Sequence, residues 1–174
     1  MKKIDQDGLR LCELQAAAFE KSTEENTESS AIFIRRFMHS HIANAMDTGA
    51  LLQTNLQPRD ILDRVAEEYG TSEYGSVTYT KNEMYWIGYL YRYMVCITDR
   101  SSVQVYRIIK PKELRGLFLS YHSLDPAQAV ERILEAKDLL LNEQEELERQ
   151  FRIYKRIRQE SEFKKNLRSP VHLK

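Results

Sequence analysis

Residues 84–98 read MYWIGYLYRYMVCIT, and Arg92 is the sole charged side chain among them. A guanidinium keeps its proton and is very costly to bury unpaired. Arg92 therefore needs a carboxylate, several carbonyls or an anionic ligand. An acid from another helix is the favoured partner, and an anion or small-ligand site that includes Tyr93 and His122 is the alternative. His122 lies between two hydroxyls in Tyr121-His122-Ser123. Sequence neighbours need not converge in space, so that run is no catalytic pair by itself. Its position just before Asp125-Pro126 suits a histidine that satisfies helix-terminal carbonyls. His39 and His41 stand two residues apart, which turns them to different sides of a helix and disfavours a shared metal. Cys12 and Cys96 lie far apart in the chain and read as reduced thiols, Cys96 within the apolar segment. The sequence contains no glycine-rich phosphate loop, metal-ligand cluster or nucleophile elbow. No catalytic, cofactor-binding or metal-binding residue is assigned, and a non-enzymatic protein is expected.

Two stretches could touch nucleic acid. Residues 89–109 have the outline of a helix-turn-helix, with Gln104 and Arg107 as base readers on its second, short helix. Residues 149–158 interleave Arg149, Arg152, Lys155, Arg156 and Arg158 with Phe151 and Tyr154, a mixture that can meet phosphates and stack on bases. Against both stands the charge balance: 26 basic and 26 acidic residues leave a formal net charge of zero. A neutral chain lacks the basic footprint of a DNA-binding domain, so tight nucleic-acid binding is not expected. The basic run reads as well as a solvated helix whose cations complement the helix dipole.

The elements that must position these groups are helical. A length of 174 residues fits one domain with an appendage. Only six glycines and four prolines, with 30% charged residues, fit an all-α chain. The fifteen residues from 84 to 98 exceed a strand and are apolar on nearly every side, the mark of a central buried helix. Trp86 in it is expected to be largely buried, and Thr80-Lys81-Asn82-Glu83 offers a capping box. Amphipathic spacing predicts further helices over 9–24, 31–47, 57–69, 102–109, 110–121 and from Pro126 onward. Residues 70–79 are rich in turn formers and read as an ordered loop. The expected architecture is a domain of six or seven helices over 1–141, with a long projecting C-terminal helix and tail over 142–174. In that extension an acidic block, Glu143 to Glu148, precedes the basic one. The stripe Leu147, Phe151, Tyr154 and Ile157 is too thin to bury itself on a domain, yet too aromatic for a purely solvated helix. With Arg152 and Arg156 beside it, it is the expected partner-binding surface, used with another protein or with a second copy. The first residues lack a signal-peptide core, and no apolar run approaches a membrane span, so a cytoplasmic chain with no membrane partner is expected.

Four stretches carry a family resemblance: FIRRFMHS at 33–40, MYWIGYLYRY at 84–93, SSVQVYRIIKPKELRGL at 101–117 and YHSLDPAQAVERI at 121–133. They resemble a family of small, uncharacterised helical bacterial proteins similar to components encoded beside toxin–antitoxin modules. The resemblance covers most of 30–137 and leaves out the C-terminal extension. It implies a bacterial antitoxin or accessory component whose partner is a protein such as a toxin, and it brings no catalytic residues with it.

Overall fold

The computed structural model describes residues 2–51 and 55–139, together with Phe151, Tyr154, Lys155 and Arg158. The described residues contain eight α-helices and no strand: α1 Gln6–Glu25, α2 Ser30–His39, α3 His41–Asp47, α4 Pro58–Tyr69, α5 Lys81–Thr98, α6 Ser102–Ile108, α7 Pro111–Tyr121 and α8 Pro126–Ala136. The all-α class is as expected, with eight helices among the described residues against the predicted six or seven. The chain divides into two compact units, Met1–Arg132 and Ile133–Lys174.

The central helix α5 begins where the capping box predicts. The Glu83 carboxylate accepts the Thr80 N–H at 2.7 Å, and the Thr80 hydroxyl oxygen accepts the Glu83 N–H at 3.3 Å. Each bond satisfies an amide that the first helical turn leaves without a partner. Met84, Ile87, Leu90, Tyr91, Met94, Val95 and Ile97 are buried. Trp86 is not: it is half-buried and packs edge-on against Phe118 at 5.6 Å between ring centroids. Tyr89 and Tyr93 are half-buried as well and stack on each other at 6.2 Å. The stripe that holds these three rings is thus the margin of the core, where amphipathic aromatics can cover apolar surface while keeping a polar edge near water.

Helix α1 runs antiparallel along α5. Lys81 pairs with Glu24 at one end, and the Lys2 N–H donates to the Ile97 carbonyl at 3.0 Å at the other. Gly88 makes the close approach possible. A Cβ there would lie 2.9 Å from Phe19 Cγ and 3.0 Å from both Ala16 Cα and the Gln15 carbonyl oxygen. Beside it Phe19, Phe33 and Phe37 meet edge-on or tilted, with centroids 5.0–6.3 Å apart.

The predicted helix over 31–47 is two helices. Ser40 is extended at ψ 160°, closes α2 and caps α3, its hydroxyl donating to the Phe37 carbonyl at 2.6 Å and accepting from the Ala43 N–H at 3.2 Å. A serine offers the backbone this alternative to a continued helical ladder, while the apolar spacing runs on across the break. Helix α4 has Pro58 in its first turn and Gly70 at its end with φ +73°, the sequence-predicted bounds. Ile61, Leu62 and Val65 form its buried face, whereas Tyr69, at the same helical spacing, is exposed.

The loop over 70–79 is held by the α1–α2 junction. Ser29 and Ser30 donate their N–H groups to the carbonyls of Tyr74 and Val77, both at 3.1 Å, and Tyr79 N–H donates to the Ser30 hydroxyl at 2.8 Å. Arg36 adds a bond to the Gly70 carbonyl at 3.0 Å. In α7 Leu114 is fully buried, and Leu117, Phe118 and Tyr121, which share its side of the helix, are half-buried. Helix α8 ends at Ala136, and Asp138 is left-handed at φ 53°, so no single helix runs from Pro126 onward past Leu141. Of the predicted C-terminal helix, Phe151, Tyr154, Lys155 and Arg158 are described and helical, and the other residues lie outside the described ones.

Candidate functional site

Arg92 is fully buried, and four helices meet at its guanidinium. The reach of each partner follows from its place in a helix. Asp47 is the last residue of α3, Ser102 the first of α6, and Gln15 lies midway along α1, one turn from both Leu11 and Phe19. Nη1 donates to Asp47 Oδ1 at 2.6 Å, Nε to Gln15 Oε1 at 2.8 Å, and Nη2 to the Ser102 hydroxyl at 3.0 Å. The Ser102 hydroxyl donates in turn to Asp47 Oδ1 at 2.6 Å, and the Ser102 N–H to Asp47 Oδ2 at 2.7 Å. Gln15 closes the set by donating from Nε2 to the Gly88 carbonyl at 3.0 Å. The charge is neutralised by one acid from another helix, and the carboxylate also serves the first turn of α6, where negative charge is favoured.

This geometry cross-links α1, α3, α5 and α6. The Ser102 hydroxyl donates to Asp47 Oδ1 and accepts from Arg92 Nη2, so both its proton and a lone pair are engaged within the network. The sequence carried a faint signal for one partner: Gln15 interrupts the apolar spacing of Leu11 and Phe19. Asp47 and Ser102 look like ordinary helix-end residues, and their convergence depends on how α3 and α6 pack.

The other predicted residues sit apart. His122 is exposed at the end of α7, stacked on Phe118 at 4.8 Å with its Nδ1 hydrogen-bonded to the Phe118 carbonyl at 2.8 Å. It does not join the Arg92 constellation. Tyr93 is half-buried, stacked on Tyr89. His39 and His41 are both exposed; His39 bonds the Arg35 carbonyl and His41 approaches Glu68 at 3.1 Å. No cluster of metal-binding side chains occurs among the described residues. In the segment read as a helix-turn-helix, Gln104 accepts the Ser101 N–H at 2.8 Å as part of the α6 capping box, and Arg107 is exposed. Phe151 and Tyr154 are helical and exposed, with the Lys155 ammonium 5.3 Å from the Phe151 ring centre. Leu147, Arg152, Arg156 and Ile157 lie outside the described residues.

A cleft of about 560 Å³ opens beside the Arg92 constellation, lined among others by Asp47, Cys96, Asp99 and Arg100. Cys96 is partly exposed there, and its thiol meets that of Cys12, which is fully buried in α1. Pairing with the Cys96 thiol, and burial after it, push the Cys12 pKa far above the usual thiol range. The same pairing lowers Cys96; burial opposes this, and the Arg92 charge reinforces it. No described helix is long and apolar enough to cross a membrane. Comparisons with protein-family models, curated proteins and solved structures return no match to the chain.

Proposed function

We propose that the protein is a non-enzymatic interaction module, an antitoxin or accessory subunit of a bacterial toxin–antitoxin-type system, working in the cytoplasm by binding a partner protein through its C-terminal segment. The observation that carries this reading is the exposure of Phe151 and Tyr154, 59% and 64% respectively, on helical backbone. A spacing of three puts both rings on one side of a helical turn. Large aromatics left in water are the side chains that anchor protein interfaces once a partner desolvates them. In sequence, Leu147 and Ile157 extend the stripe and Arg152 and Arg156 flank it, so a complementary groove would meet an apolar strip with a basic edge. The neutral chain favours a protein over nucleic acid as that partner. The interior polar groups support an interaction role too: Arg92, Asp47, Gln15 and Ser102 bond one another and the Gly88 carbonyl, and so tie four helices together.

The test is co-expression of the full chain with the product of the adjacent gene, which carries the purification tag. The parent should be retained on that product. Phe151→Ser/Tyr154→Ser should be lost from it while melting like the parent, because both side chains are exposed. Equal retention of the double variant overturns the reading. Concentration-dependent dimers in light scattering, with no adjacent product bound, replace the partner by a second copy of the chain.

A further inference from the structure

We propose that Cys12 and Cys96 form a reversible dithiol switch, in which a peroxide oxidises Cys96 and Cys12 resolves it into an intramolecular disulfide that pins α1 to α5. The packing of α1 along α5 carries the inference. Residues far apart in sequence are brought together by two helices whose register is fixed by the Gln15–Gly88 bond, the Lys2–Ile97 bond and the Lys81–Glu24 pair. The two thiols are inequivalent. Cys96 lines the cleft and is partly exposed, so a small oxidant can reach it, whereas Cys12 is sealed in the core on the side of α1 that packs along α5.

Oxidation begins with a thiolate, and thiolates form where positive charge and hydrogen-bond donors favour them. Both are present at Cys96: the Cys12 S–H and the nearby Arg92 guanidinium lower its pKa. The Cys96 thiolate attacks one oxygen of hydrogen peroxide. An S–O bond forms, the O–O bond breaks, and hydroxide leaves to take up a proton as water. Cys12 then attacks the sulfenic sulfur as its own proton passes to the departing oxygen. An S–S bond forms, the S–O bond breaks, and a second water leaves. Two thiols are oxidised, one peroxide is reduced, and an external thiol restores the starting state. A bridge of this kind, made and broken by the redox state, is the form disulfides take in a reducing compartment.

The experiment uses the full chain, reduced and then titrated with hydrogen peroxide. Free thiols are counted, and peptides are mapped by mass spectrometry without reduction. Both thiols should disappear with about one equivalent of peroxide, the peptides holding residues 12 and 96 should appear linked within one chain, and dithiothreitol should reverse the change. The oxidised protein should also melt at a higher temperature than the reduced form. Cys12→Ser should stop at a Cys96 sulfenic acid that dimedone traps, and Cys96→Ser should leave Cys12 unreacted. Oxidation of Cys96 to sulfinic acid with Cys12 still free in the parent overturns the proposal, as does a disulfide between two chains. The parent peptide map decides the matter even where a variant fails to fold.

Discussion

Replacing Asp47 by alanine should be among the most damaging single changes in the chain. The substitution leaves the fully buried Arg92 without its countercharge and removes the acceptor of the Ser102 N–H and hydroxyl. Breaking one side of a buried ion pair costs about 3–5 kcal/mol, because a charge is left in a medium that solvates it poorly. The Asp47 side chain is 11% exposed and borders the cleft, so water can follow the deletion and partly solvate the guanidinium. The loss should therefore lie near the lower end, about 3 kcal/mol. That is roughly a fifth or more of the stability of a typical domain. Arg92→Met should cost less, since the carboxylate keeps the Ser102 N–H and hydroxyl as donors. The double variant Asp47→Ala/Arg92→Met should be more stable than the sum of the two losses implies, by at least about 1 kcal/mol, because it leaves no orphaned charge. Urea unfolding followed by far-UV circular dichroism and Trp86 fluorescence supplies all four stabilities. Asp47→Ala within about 0.5 kcal/mol of the parent, or strictly additive losses, would refute the view that this pair neutralises the core.

Gly88→Ala should destabilise by about 1–3 kcal/mol in the same melts, because two of the three atoms its Cβ meets belong to the α1 backbone and cannot swing away. Trp86→Ala should cost about 2 kcal/mol, less than the 3–5 kcal/mol of a full core truncation, since the indole is half-buried; a loss within error of the parent would remove Trp86–Phe118 from the packing. Burial pushes the Glu83 carboxyl up, but the bonds from Arg115 and Thr80 outweigh it and hold its pKa below the usual range. Its folded-state pKa is depressed, so its charge stabilises the protein above the unfolded value of about 4.3, and that contribution is lost as pH falls through the folded value. Urea melts from pH 7 down to 3 should show the gap between the parent and Glu83→Gln closing toward acid; a constant gap would mean the charge contributes nothing.

Where the sequence decided structure, local physics was enough. The apolar circumference of residues 84–98, with Thr80 and Glu83 before it, dictates a capped and central α5, because burial and capping both act within a few residues of the side chain that causes them. Pro58 and Gly70 bound α4 for the same reason, one by its fixed φ and the other by its tolerance of a positive one. The demand that Arg92 find a partner was also legible, since the cost of an unpaired buried guanidinium does not depend on the fold. Which acid answers it was decided by tertiary structure alone. Asp47 and Arg92 meet because α3 ends, and α6 begins, beside α5, and no periodicity in either segment encodes that meeting. Ser40 shows the converse: the apolar spacing continued across it, yet a hydroxyl that could cap or stay idle capped, because the chain had to turn there. The margin position of Trp86 and the meeting of Cys12 with Cys96 belong to the same class. Helical periodicity says which residues share a face, and only the packing of one helix on another says what that face touches.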